Sequence, residues 1–303
     1  MHPLPTEFAR PWTFLALPPD RADLEGARFV VVPVPFDSTT SYKGGAREGP
    51  AAIIAASRFL EEYDPALEGE AAALGIATLP EVEPHVGDPA ATVQRVAQVV
   101  DALLDRGKVP VLLGGEHTIA LGGVQGALRH APDLWVLYLD AHADLRDSYM
   151  GSPYSHACTA RRIAEVAPLV EVGVRSMSAP EARFAREKGV PIFPWGPSFR
   201  AEDALAWALA RLGPRVYISI DLDVLDPALM PAVGTPEPGG LSWREVLVLL
   251  EGVARARRVV AFDVVELAPQ EGPAACAYVA AALVYKLMGL IARGCTVGEY
   301  KGG

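Results

Sequence analysis

Three potential metal ligands stand at alternate positions in Asp140-Ala141-His142-Ala143-Asp144, where the apolar run Leu134-Trp135-Val136-Leu137-Tyr138-Leu139 stops. Alternation puts all three on one face of an extended chain, but at roughly 3.3 Å per residue Asp140 and Asp144 would lie about 13 Å apart. They can share one cavity if the strand ends near His142 and the backbone curls. A second β-branched run, Arg215 to Ile220, also stops on an aspartate, Asp221, with Asp223 two residues later. A third, Val109 to Leu113, opens through Gly114 and Gly115 onto Glu116 and His117. Parallel sheets bring such strand ends together along one edge, and ligands bind in the crevice outside it. Four carboxylates and two imidazoles converging there are very costly to bury without cations. Two divalent ions would neutralise the four negative charges, so these residues predict a binuclear metal centre.

Oxygen-rich ligation with two imidazoles suits Mn²⁺ better than structural Zn²⁺, which favours cysteines. Asp140 and Asp221, each ending its strand, are placed to bridge the two ions. His117 and Asp144 can complete one ion, His142 and Asp223 the other. Metals roughly 3.5–4 Å apart share a water whose pKa falls from about 15.7 toward about 7, which supplies a nucleophile at neutral pH. The bare residues therefore predict metal-assisted hydrolysis and leave the electrophile open, carbon or phosphorus.

The elements that must hold these residues follow from pattern. Residues 1 to about 27 are proline-rich with scattered aromatics, an expected N-terminal arm, and 28–303 form the expected catalytic domain. Phe29 to Pro35 reads as the first strand, and Gly44-Gly45-Ala46-Arg47-Glu48-Gly49 as a tight turn into a helix opened by Pro50. It matches neither phosphate-binding glycine motif. A short strand is expected within Ala73 to Thr78. Val93, Val96, Ala97, Val100, Leu103 and Leu104 recur at helical spacing over 90–106, and Gly107 stops that helix. Helices are expected near 121–130, 181–189, 201–212 and 242–257, the last opened by a Ser242/Glu245 capping box. Further strands are expected over 168–175, 191–193 and 259–266. Strands alternating with helices at this rhythm predict a parallel sheet covered on both faces, in a single domain.

Composition narrows the function classes. The chain has 303 residues, half of them apolar, with a net charge of −10. That suits one large α/β domain or two small ones, with a substantial core. No basic cluster tracks a phosphate backbone, so nucleic acid is not an expected partner. Cys158, Cys276 and Cys295 are odd in number and widely spaced, which suits a reducing cytosol rather than a disulfide framework. Met1-His2-Pro3-Leu4-Pro5 lacks the features of a secretory signal. The apolar stretch from Ala274 to Ala292 carries Lys286 and many alanines, and reads as a buried helix rather than a membrane span. A cytoplasmic protein with no membrane partner is expected.

Gly114-Gly115-Glu116-His117, Asp140-Ala141-His142-Ala143-Asp144 and Ser219-Ile220-Asp221-Leu222-Asp223-Val224-Leu225-Asp226-Pro227 together resemble the three signatures of the ureohydrolases, the arginase and agmatinase family. The resemblance runs from about Pro35 to Pro269, with the blocks in the family's order and spacing. It implies a single three-layer α/β/α domain with a mostly parallel sheet, two Mn²⁺ per subunit, and assembly into trimers or hexamers. It implies hydrolysis of a small cationic guanidinium compound to an amine and urea. By the same resemblance His117, Asp140, His142, Asp144, Asp221 and Asp223 ligate the metals, and Asp144 also orients the nucleophile. His156 corresponds to a proton-shuttling histidine, Glu266 to the acid that grips the guanidinium, and Thr235 to a residue beside the substrate.

The loop after Asp144 lacks the pattern with which arginases read the amino-acid end of arginine, and Gly173-Val174-Arg175 is followed by Ser176-Met177-Ser178 rather than acids. Phe36-Asp37-Ser38-Thr39-Thr40-Ser41-Tyr42 resembles agmatinases instead. Agmatine or an aminopropyl-extended agmatine is the expected substrate, with guanidinobutyrate or arginine as alternatives inside the family. Two other classes compete: a metal hydrolase of amides or phosphate esters, and a non-catalytic metal-binding relative.

Overall fold

Eight short runs rich in valine, isoleucine and leucine pair into one sheet. They are β1 (Phe29–Val34), β2 (Ile76–Thr78), β3 (Val109–Gly114), β4 (Leu134–Leu139), β5 (Leu169–Val174), β6 (Ile192–Pro194), β7 (Arg215–Asp221) and β8 (Arg258–Val265). The computed structural model describes residues 10–298, so Met1-His2-Pro3-Leu4-Pro5 and the side chain of Cys295 lie outside the described residues. Strand order is β2-β1-β3-β8-β7-β4-β5-β6, and all seven pairings are parallel.

Parallel strands need crossovers, which helices supply. Between strands lie α2 (Gly49–Ser57), α3 (Pro89–Asp105), α4 (Ile119–Leu128), α5 (Thr159–Ala164), α6 (Ala179–Lys188), α7 (Ala201–Leu209) and α8 (Trp243–Ala256), while α1 (Pro19–Ala22) precedes β1 and α9 (Ala275–Gly298) follows β8. Side chains alternate across the sheet, so each strand feeds two cores. Val31, Leu113, Leu137, Ile218 and Phe262 pack with Ile53 of α2, Ala204 of α7, Leu249 of α8 and Leu287 of α9. Val30, Leu112, Tyr138 and Tyr217 face the other way, onto Val96 of α3, Val124 of α4, Ile163 of α5 and Ala185 of α6. This is the expected three-layer α/β/α architecture.

Local signals act as expected at several ends. Ser242 N donates to Glu245 Oε2 at 2.7 Å and Ser242 Oγ accepts from Glu245 N at 3.3 Å, closing the capping box of α8. In the proline-rich segment, Phe14–Ala16 forms a 3₁₀ turn ahead of α1, and Phe14 and Leu17 are buried. The turn Ala71–Leu74 precedes β2, so the expected short strand is confined to Ile76–Thr78. Between Ala275 and Gly294 α9 is long and apolar enough to cross a membrane, yet 61% of its most apolar window is buried within the protein. It is a core helix, with Leu283, Leu287 and Met288 in the apolar cluster.

The topology positions the site. After β3 the chain crosses to β4, and β7 and β8 later fill the gap, so β3, β8, β7 and β4 are the four central strands. Their C-terminal ends open on one crevice, the place where a strand order that reverses direction leaves room for a ligand. His117 follows β3, Glu266 follows β8, Asp221 ends β7 with Asp223 in the 3₁₀ turn after it, and Asp140, His142 and Asp144 follow β4.

Candidate metal centre

Two glycines bring His117 into the crevice. A Cβ on Gly115 would stand 1.9 Å from the Phe36 carbonyl oxygen, so only glycine lets the turn after β3 pass so close to the turn after β1. His117 Nδ1 then lies 2.9 Å from Asp140 Oδ2, 3.2 Å from Asp221 Oδ2 and 3.7 Å from Asp144 Oδ2. His142 Nδ1 lies 2.9 Å from Asp223 Oδ2 and 3.6 Å from Asp140 Oδ1. Two clusters result, His117–Asp140–Asp221 and Asp140–His142–Asp223, with Asp140 common to both.

The backbone curl that the alternating pattern requires is present. Asp144 adopts a left-handed conformation, φ +48°, which costs energy for a residue with a Cβ. Its carbonyl accepts from Arg161 N at 3.1 Å, and its Oδ2 accepts from the Tyr138 hydroxyl at 2.9 Å. Glu266 is also left-handed, φ +68°, held by its own N–H to the Gly115 carbonyl at 2.8 Å. Its Oε1 accepts from His117 N at 2.6 Å. Both residues hold this strained conformation at the mouth of the crevice.

The donor set fits divalent cations. Asp140 Oδ2 is buried without a hydrogen-bond partner, despite the nearby imidazole. Ser219 Oγ donates to Asp263 Oδ1 at 2.8 Å and lies 2.8 Å from His117 Nε2, so the imidazole proton belongs on Nε2. Burial opposes a second proton on His117, but Asp140 and Asp221 outweigh it and raise the imidazole well above its usual range; a cation taking the place of the Nδ1 proton would find that nitrogen's lone pair facing both carboxylates. Burial, then repulsion from neighbouring carboxylates, pushes the carboxyls of Asp144, Asp221 and Asp223 above the usual range. Burial works against ionisation of Asp140 too, but His117 and His142 beside it hold its carboxyl below that range. The surplus of buried acid is what a pair of cations relieves.

A cavity of about 290 Å³ opens above the clusters, and His142, Asp144, His156, Asp221, Asp223, Thr235 and Glu266 all line it. His117 and Asp140 lie beneath, almost completely buried. All the residues singled out by sequence are thus brought together. Burial lowers the His156 imidazole to about 4, with the positive charges of His142 and His117 adding to the effect.

Several participants were not legible beforehand. Glu116 is fully buried and accepts from Thr39 N and Thr39 Oγ1, both at 2.7 Å, and from Thr118 Oγ1 at 2.8 Å. Burial raises its carboxyl to about 7. Thr39 Oγ1 in turn accepts from His156 N at 2.9 Å, so Glu116 fixes His156 through Thr39. Tyr138 stacks on His117, ring centroids 4.3 Å apart and planes 7° from parallel. Asp263 stands opposite Ser219 in the β7–β8 register and also accepts from the Tyr217 hydroxyl at 2.7 Å.

Residues 27–289 match the Arginase family. The chain belongs to the arginase family. It is 45% identical over 275 residues to an N(1)-aminopropylagmatine ureohydrolase of Thermus thermophilus, covering 88% of this chain and 91% of that one. It is 35% identical over 254 residues to the agmatinase of Bacillus subtilis, covering 82% of this chain and 86% of that one. The crystal structure of agmatine ureohydrolase of Thermoplasma volcanium superposes with a TM-score of 0.84 at 32% identity, covering 96% of this chain and 98% of that one. This arginase-family hydrolase is therefore an agmatinase-like enzyme with two groups of residues suited to metal.

Proposed function

We propose that the protein hydrolyses the guanidinium group of agmatine or an aminopropyl-extended agmatine, giving urea and a polyamine, with two Mn²⁺ bound by His117, Asp140, His142, Asp144, Asp221 and Asp223. The observation that carries the reading is one cavity that joins the acid-rich cluster to His156, Thr235 and the strained, buried Glu266. The names of the relatives at 45% and 35% identity support the substrate class. Oxygen-rich ligation with imidazole supports Mn²⁺.

Bound at these six side chains, the ions would supply an activated water at neutral pH. Glu266 receives the guanidinium by paired charge-assisted hydrogen bonds to its N–H groups. Its carboxyl is raised by burial and by Glu116, and an arriving cation restores the ionised form. Asp144, fixed by Tyr138, accepts a hydrogen bond from the attacking oxygen and so aims its lone pair at the guanidinium carbon. His156, neutral near pH 7 and held by Thr39, takes up the proton that the attacking water releases and passes it to the departing amine. Thr235 borders the substrate on the facing wall.

Guanidinobutyrate is the second reading, favoured by Lys43 and Arg146, two cations that line the cavity and suit a carboxylate tail. The assay that decides is urea release with Mn²⁺ across arginine, agmatine, aminopropylagmatine and guanidinobutyrate. The reading expects the two amine-tailed substrates to lead by at least tenfold in kcat/KM, and it fails if guanidinobutyrate or arginine leads. We further infer a cytoplasmic homo-oligomer, a trimer or hexamer, in which residues 28–303 are the catalytic domain and 1–27 an arm.

A further inference from the structure

We propose that Glu271 receives the far primary ammonium of an aminopropyl-extended substrate, and that Lys43 occupies that carboxylate until the substrate arrives. This rests on the reading of the enzyme as an aminopropylagmatine hydrolase and assigns the residues that separate that substrate from agmatine.

Lys43 lines the cavity, and its ammonium is paired with the Glu271 carboxylate. The pair stands on the wall that carries Thr235. A Cβ on Gly234 would lie 3.0 Å from the Lys43 carbonyl oxygen, and Ala268 N donates to Ala232 O at 2.8 Å. The segment running from Glu266 to Glu271 is thus tied to the loop before Thr235, which in turn packs on Lys43.

Reach decides which ammonium can arrive. Glu271 ends the 3₁₀ turn Pro269–Glu271, five residues after Glu266. It does not itself line the cavity and meets it through Lys43, so a ligand reaches that carboxylate only by extending past the residues that line the site. An extended chain advances about 1.2 Å per covalent bond. The terminal nitrogen of aminopropylagmatine is ten bonds from the guanidinium carbon, about 12 Å on that scale. The amine of agmatine is six bonds away, about 7 Å, and ends about 5 Å sooner. With its guanidinium on Glu266, the longer substrate is the one whose far ammonium extends beyond the lining toward Glu271.

Chemistry matches as well. The far group is a primary ammonium, the same group that Lys43 presents. Exchange preserves an ion pair on Glu271, while Lys43 swings into water on a flexible stem. Its side chain is already 44% exposed. Glu181, which does line the cavity, is committed elsewhere: Oε1 accepts from Leu145 N at 3.1 Å, and Oε2 accepts from Ser178 N at 2.7 Å where α6 begins. Of the two cations that line the cavity, Arg146 is engaged by Glu181 at 3.8 Å and by the Tyr149 ring at 4.7 Å, while Lys43 is a displaceable placeholder on Glu271.

The test is steady-state urea release by the Mn²⁺-loaded wild type, Glu271→Gln and Lys43→Gln on agmatine and aminopropylagmatine. Glu271→Gln should raise KM for aminopropylagmatine about fivefold, the worth of one partly exposed ion pair, with little change in kcat. Its effect on the agmatine KM should be several-fold smaller. Lys43→Gln, by removing the competitor, should lower KM for aminopropylagmatine and leave the ratio of the two kcat values in place. Glu271→Lys, with the charge reversed, should raise KM further than Glu271→Gln. Equal KM shifts for both substrates in Glu271→Gln, or a higher aminopropylagmatine KM in Lys43→Gln, would overturn the proposal. Wild-type enzyme that releases urea from agmatine but not from the longer substrate would overturn it too, leaving the guanidinium chemistry intact. Urea from neither substrate would instead end the functional reading itself.

Discussion

Glu266→Gln separates the guanidinium clamp from the metal cluster beside it. The substitution keeps the side chain's length and one carbonyl-type oxygen. The bond from His117 N to Oε1, 2.6 Å in the native chain, can therefore persist, as can the backbone bond from Glu266 N to the Gly115 carbonyl. What is lost is the negative charge and one acceptor, replaced by an NH₂ group that confronts the donors of a guanidinium. A hydrogen bond to a charged partner is worth about 1.5–3 kcal/mol. Losing one and weakening its neighbour costs about 3 kcal/mol, or about 100-fold in kcat/KM at 1.36 kcal/mol per tenfold. Because Glu266 is buried beside Glu116, which already opposes its ionisation, the neutral amide should fold at least as stably as the native acid. Urea release gives the kinetic loss, metal analysis of the dialysed protein gives the Mn²⁺ content, and thermal melting gives stability. A variant that keeps two metals and stays within threefold of native kcat/KM would refute the clamp.

Asp140→Asn, at the carboxylate common to both clusters, should abolish urea release and reduce Mn²⁺ content below two per chain, a loss visible by metal analysis without any assay. Tyr138→Phe keeps the ring stacked on His117 but removes the hydroxyl that donates to Asp144. Mn²⁺ affinity should fall about tenfold in a calorimetric titration, and unchanged affinity would count against any role for that hydroxyl. Gly115→Ala forces a Cβ onto the Phe36 carbonyl and should cost about 3 kcal/mol in denaturant unfolding, an overpacking penalty that a merely convenient glycine would not show. His156 is held near 4 in the folded chain, while the unfolded chain titrates near 6.5. The stability it contributes is complete above pH 6.5 and is lost as pH falls from there through about 4. His156→Asn should remove that part of the slope in melting temperature against pH; identical slopes would contradict the placement.

The parts of the site legible in sequence are those in which one short segment carries both the strand signal and the ligand. Leu134 to Leu139 followed by Asp140, and Val216 to Ile220 followed by Asp221, announce strand ends bearing acid, and the structure joins them at the crevice. The parts that escaped depend on pairs distant in sequence. Thr39 and Glu116 are 77 positions apart, and nothing in either segment names the other. Tyr138 reads as one more apolar strand residue, because a hydroxyl aimed at Asp144 leaves no trace in a hydrophobic pattern. Ser219 shares its strand face with Tyr217 and Asp221, a usable hint, but Asp263 becomes its partner only through the register of β7 with β8. In the fold, α5 is six residues long and carries Arg161 and Arg162 side by side, too short for helical periodicity to declare itself.

A pair of cations gathered by six side chains from three segments is the central proposal. Anomalous diffraction from crystals of the protein soaked in Mn²⁺ tests it most directly. The expected result is two peaks about 3.5–4 Å apart, one against His117 and Asp144, the other against His142 and Asp223, with Asp140 and Asp221 between them. A single peak at full occupancy, or two peaks at any other group of residues, would contradict it.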